Sequence, residues 1–96
     1  MTKFELGQLV ITRGIADQIE ENKDFAEFVR KSLQSYIRCD WGDLCEDDRE
    51  QNDMAVKNGD DRILAAYIPQ DYPNQKIWII TEWDRSVTTI LFPSEY

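Results

Sequence analysis

A chain of 96 residues, 42% hydrophobic and 11% aromatic, is one small domain with one modest core, and it excludes a disordered polymer. It carries 19 acids, 11 bases and no histidine, for a net charge of −8. That removes Ser-His and Cys-His nucleophile pairs, histidine metal ligands and the commonest general base.

Phe4 to Thr12 reads as a strand: Leu9-Val10-Ile11 is a compact apolar run with β-branched residues, and Arg13-Gly14 breaks it. Ile15 and Ile19, four apart, suit a helical turn or two, and Asn22 interrupts that pattern. Asp24 stands three residues before Glu27, a capping-box spacing. Behind it Phe25, Val29, Leu33 and Tyr36 or Ile37 form one apolar face, predicting a helix to about Arg38. Trp41-Gly42 is a turn. Asp43 precedes Glu46 by the same spacing, which predicts a surface helix over 44–58, ended by Gly59 in the left-handed conformation. Its apolar side is thin: Leu44, Met54, Ala55 and Val56.

The last third is β-rich. Arg62 to Ile68, Lys76 to Trp83 and Val87 to Phe92 read as strands. In the second of these, Ile77, Ile79, Thr81 and Trp83 alternate with Trp78, Ile80 and Glu82. Asp84-Arg85-Ser86 is a tight turn, and short connections favour antiparallel pairing. The expected fold is α+β in the order β-α-α-β-β-β: a four-stranded, mainly antiparallel sheet with two helices on one face, in one domain over residues 1–96.

The acidity is local. Between Asp40 and Asp61 nine acids face only Arg49 and Lys57, so this segment holds −7 of the −8. Such a surface repels a phosphate backbone and an anionic bilayer, and it attracts a basic protein surface. The predicted partner-binding residues are Asp43, Glu46, Asp47, Asp48, Glu50 and Asp53, with Trp41 as an aromatic anchor at the acidic turn. Carboxylates along a helix also imitate a row of phosphates, so the helix has the makings of a nucleic-acid mimic. Direct nucleic-acid binding is not expected because of that repulsion, and a membrane span is not expected because no apolar run approaches the roughly 18 residues one needs. The charge at Glu5 is wrong for an export signal, which gives a cytoplasmic expectation.

Other chemistries find little equipment. A calcium loop begun at Asp48 would need glycine at its sixth position and glutamate at its twelfth, where Asp53 and Gly59 stand. The four glycines are scattered and form no phosphate-binding loop. Cys39 and Cys45 read as ordinary thiols, two ligands short of a zinc site, and no cofactor is predicted. A second reading is a carboxylate- or magnesium-dependent hydrolase or nuclease built on Glu82 and Asp84, with Asp43 and Asp47 next; it requires three carboxylates converging in one cleft. A third is a structural subunit, which requires a large exposed apolar face.

Three segments carry a resemblance: Thr12-Arg13-Gly14-Ile15, Asp40-Trp41-Gly42-Asp43-Leu44-Cys45, and Ile77-Trp78-Ile79-Ile80-Thr81-Glu82-Trp83-Asp84-Arg85-Ser86 running into Thr88 to Tyr96. On these the chain resembles a family of small, uncharacterised bacterial plasmid-related proteins found on mobile elements. The resemblance implies a cytoplasmic accessory factor serving element maintenance or defence against host immunity, acting through protein–protein contact, and it carries over no catalytic residue. The element order is also similar to that of the toxin ribonucleases of bacterial toxin–antitoxin pairs. Those are typically basic, so the charge of −8 opposes a shared activity.

Overall fold

The computed structural model describes residues 4–96. In chain order it contains β1 (Gln8–Ile11), α1 (Arg13–Glu21), α2 (Lys23–Ile37), α3 (Glu46–Asn58), β2 (Ile63–Tyr67), β3 (Ile77–Thr81) and β4 (Val87–Leu91), with single 3₁₀ turns at Pro73–Gln75 and Pro93–Glu95. The fold is α+β, but it has three helices and the order β-α-α-α-β-β-β. The segment around Ile15 and Ile19 is a full nine-residue helix. Asn22 does more than interrupt it: it ends α1 and starts α2. Its backbone N–H donates to the Gln18 carbonyl, and its side-chain oxygen accepts from the Asp24 and Phe25 amides at 2.9 and 3.2 Å. The N-cap of α2 is therefore Asn22 and not Asp24. Likewise the cap of α3 is Cys45 and not Asp43, so the helix begins at Glu46 rather than Leu44.

The sheet runs β1-β4-β3-β2. The β2–β3 and β3–β4 pairs are antiparallel, as the short connections require, with Ala65 opposite Ile79 and Ile79 opposite Ile90. β1 instead lies parallel to β4, Val10 beside Thr89, which makes the sheet mixed. Parallel pairing needs a long crossover, and here the intervening elements of the chain supply it.

Strand alternation sends Ile63, Ala65, Tyr67, Ile77, Ile79 and Ile90 into one core with Ile15 of α1 and Phe25, Val29 and Tyr36 of α2. Within that core three side-chain hydroxyls form a hydrogen-bonded chain that ends on a backbone carbonyl. Thr88 Oγ1 donates to the Leu6 carbonyl at 2.7 Å, Thr81 Oγ1 lies 2.8 Å from Thr88 Oγ1, and Tyr36 Oη lies 2.7 Å from Thr81 Oγ1. Because Thr88 spends its proton on Leu6, Thr81 donates to Thr88 and Tyr36 donates to Thr81. Every hydroxyl is satisfied, as burial demands.

The two edges of the sheet differ. At β2, Asn52 of α3 donates to the Leu64 carbonyl at 2.8 Å and accepts from the Leu64 amide at 3.3 Å. The Asp43 amide donates to the Ala66 carbonyl at 2.7 Å, and the Asp43 carboxylate accepts from the Ile68 amide at 3.0 Å. Gly42 allows this approach: its φ is 73°, and a β-carbon there would sit 2.2 Å from the Ala66 oxygen. At the opposite edge β1 is exposed along its whole length.

Candidate functional site

The acidic segment is the loop before α3, α3 itself, and the turn after it. Glu46, Asp47 and Asp48 fill the first turn of α3, where carboxylates complement the positive end of the helix dipole. Gly59 closes the helix in the left-handed conformation, its amide donating to the Ala55 carbonyl at 2.8 Å. Asn52 and Ala55 define the buried side. The helical repeat then puts Glu46, Glu50 and Asp53, at i, i+4 and i+7, on the outward side, with Asp47 and Met54 alongside.

The seven residues expected to bind a partner separate into two groups. Glu46, Asp47, Asp48 and Glu50 are exposed and point no polar group at the rest of the molecule. The other three hold the fold. Asp43 seals the β2 edge. Trp41 is 3% exposed, packed against Phe4 and Tyr36 with ring centroids 6.0 and 5.5 Å away. Asp53 accepts from the Trp41 indole N–H at 2.9 Å. The expectation of Trp41 as a surface anchor is therefore corrected: a large ring next to a core opening is worth more buried, and Asp53 satisfies its one polar atom. The exposed tryptophan is Trp83, at 63%, because β3 ends at Thr81 before alternation can turn Trp83 inward.

Sequence reasoning missed Met54. The sequence sets it on the apolar side of α3, yet it is 58% exposed. With Asp47, Glu50, Gln51, Asp60 and Asp61 it lines a shallow depression. Its position seven residues after Asp47 was the available signal.

The carboxylates here are not neutralised internally. The described residues contain two ion pairs, Arg13–Asp17 and Arg30–Glu27, both outside the segment. Two nearby guanidiniums, Arg49 and Arg85, are spent on backbone carbonyls, and a third, Arg62, donates to the Tyr96 hydroxyl. Arg49 donates to Gly42 and Leu44 at 2.8 and 3.1 Å. Arg85, on the β3–β4 turn, donates to Ala55 at the C-terminal end of α3 and to Asp61, at 2.9 and 2.6 Å. These cations brace the segment while leaving the carboxylates of Glu46, Asp47, Asp48 and Glu50 bare.

The hydrolase candidates are placed otherwise. Asp84 is occupied by the turn: its carboxylate accepts from the Ser86 hydroxyl at 2.6 Å and the Ser86 amide at 3.0 Å, contacts that hold it below the usual carboxylate range. Arg85 donates to the Glu82 backbone carbonyl rather than to its carboxylate. Among the described residues no three His, Cys, Asp or Glu side chains gather in a way that would hold a metal ion, and no helix is long and apolar enough to cross a membrane. Cys39 and Cys45 are not joined in a disulfide.

Comparison with protein-family models, with curated proteins and with solved structures finds no match to this chain.

Proposed function

We propose that this protein acts without catalysis, by docking the outward face of α3 and its flanking turn onto a basic protein surface. The observation that carries the reading is the concentration of uncompensated carboxylates around one exposed methionine. Lysine and arginine side chains fit such a face twice over: the aliphatic stem lies on Met54 and the charged head reaches Asp47, Glu50, Asp60 or Asp61. Glu46 and Glu50, one turn apart on this face, space their free charges by about 6 Å along the axis, at ~1.5 Å per residue. A row of negative charge at that scale suits a protein whose own ligand is a nucleic-acid backbone. With the resemblance to plasmid-borne proteins, this supports reading the partner as a host nucleic-acid-binding protein and the role as that of a mobile-element accessory or anti-defence factor.

The test uses charge reversal that spares the structural acids. Glu46→Lys, Asp47→Lys and Glu50→Lys are combined, with Asp43 and Asp53 left in place. The wild-type chain displaces duplex DNA from a basic host DNA-binding protein, more weakly as salt rises. At roughly 0.5–1 kcal/mol per exposed contact, three reversals weaken displacement about tenfold to a hundredfold. Displacement unchanged by the triple variant removes α3 from the mechanism.

A further inference from the structure

The β1 edge is independent of α3 and points to a different partner. The Gln8 amide donates to the Ser86 carbonyl and the Thr12 amide to the Ile90 carbonyl, at 3.0 and 3.1 Å. In a parallel ladder alternate residues bond the same neighbour, so Gln8, Val10 and Thr12 face β4. The backbone N–H and C=O of Leu9 and Ile11 therefore face outward from the sheet. Leu9, Val10 and Ile11 are 46%, 37% and 41% exposed. Among the described residues this edge has none of the usual protection: β1 carries no lysine or proline, and no covering side chain of the kind that Asn52 and Asp43 provide at β2. Outward backbone donors and acceptors in extended register are completed by one kind of ligand, another extended strand.

We propose that β1 pairs antiparallel with β1 of a second copy, about a two-fold axis at Val10, to make one continuous eight-stranded sheet. In that register Leu9 of each copy lies opposite Ile11 of the other. The two pairs exchange roughly four backbone hydrogen bonds, and the two Val10 side chains meet across the axis at about 4.5–5.5 Å between β-carbons.

Charge favours this occupant. Residues 1–39 contain six acids and six bases, so the half of the chain that holds β1 is neutral while residues 40–61 hold −7. Antiparallel pairing brings the Glu5 end of β1 beside the Arg13 end of the other copy. Arg13 is nearly fully exposed, and its contact with Asp17 is a loose 4.0 Å. The acidic segments lie at the far edges, beside β2. Seven strand spacings of ~4.8 Å separate the two β2 strands by about 34 Å, some four screening lengths at physiological salt. Two chains of −8 thus associate without opposing their charged faces. A four-residue strand is a small interface, so association falls in the micromolar to millimolar range.

The test is sedimentation velocity of the full chain from about 5 µM to 1 mM, with amide exchange at both ends of the series. The expected result is a monomer–dimer equilibrium in which the Leu9 and Ile11 amides gain protection with concentration. The Val10 amide, bonded to β4, is protected throughout. Leu9→Pro removes an outward N–H and no bond of the β1–β4 ladder, and Val10→Lys sets two cations against each other at the axis; each weakens association about tenfold or more. A chain monomeric over the whole range, or a dimer that leaves Leu9 and Ile11 unprotected, overturns the proposal. So does capture of a foreign extended peptide at this edge by a chain that does not self-associate.

Discussion

Asn52 offers the sharpest test of how α3 is held. Replacing it with alanine removes both hydrogen bonds to Leu64, at 2.8 and 3.3 Å, and leaves a half-buried amide and carbonyl on the sheet edge. Each lost bond costs about 1–1.5 kcal/mol, and the better helix propensity of alanine returns about 0.5, for a net loss near 2 kcal/mol. For a domain of this size that lowers Tm by roughly 8–16 °C. Urea unfolding followed by tryptophan fluorescence reads it directly, since Trp41 is buried beside α3. Asn52→Asp is the informative companion. It keeps the acceptor for the Leu64 amide but turns a carboxylate oxygen toward the Leu64 carbonyl. The introduced acid has a folded pKa above its unfolded value of about 3.9, so its destabilisation is present at neutral pH and disappears as pH falls through the raised value. A loss under about 0.5 kcal/mol for Asn52→Ala, or a deficit in Asn52→Asp that ignores pH, refutes the edge-sealing role.

Other outcomes follow from the core and the C-terminus. Tyr36→Phe deprives Thr81 of its donor and costs about 1 kcal/mol, whereas Thr88→Val strands both Thr81 and the Leu6 carbonyl and costs about 2–3 kcal/mol by chemical denaturation. Burial raises the Tyr36 phenol above its ordinary value of 10.0. The unfolded chain therefore ionises first, and stability falls as pH climbs past about 10. Tyr36→Phe makes that fall shallower in alkaline denaturation. Burial acts to raise the Glu95 carboxyl, but hydrogen bonds from the Thr12 hydroxyl at 2.7 Å and the Phe92 and Gly14 amides outweigh it and lower the pKa. Its contribution is present above the ordinary value of 4.5 and is lost as pH falls through the folded value. An NMR titration finds the Glu95 midpoint below 4.5, and Thr12→Val moves it upward.

Much of the molecule is written in local pattern. The alternation of Ile77, Ile79 and Thr81 against Trp78 and Ile80 predicts β3 and its inward face, because strand side chains repeat every second residue whatever surrounds them. The 3.6-residue spacing of Phe25, Val29 and Tyr36 does the same for α2, and Gly59 marks the end of α3 because its φ of 70° suits glycine. The gathering of charge between Asp40 and Asp61 needs no structure at all.

What sequence left open depends on partners distant along the chain. The parallel placement of β1 beside β4 rests on contacts between residues 8–11 and 87–90, which no local window contains. Trp41 looked like a surface anchor because its neighbours are acidic. Only the packing of Phe4 and Tyr36 and the position of Asp53 draw it inward. Met54 looked apolar and inward until Asn52 and Ala55 fixed the rotation of α3. Composition and periodicity decide which residues form elements and which face of each prefers burial. Which acids stay bare and which strand edge stays open is settled only when separate elements compete for the same hydrogen bonds and the same core.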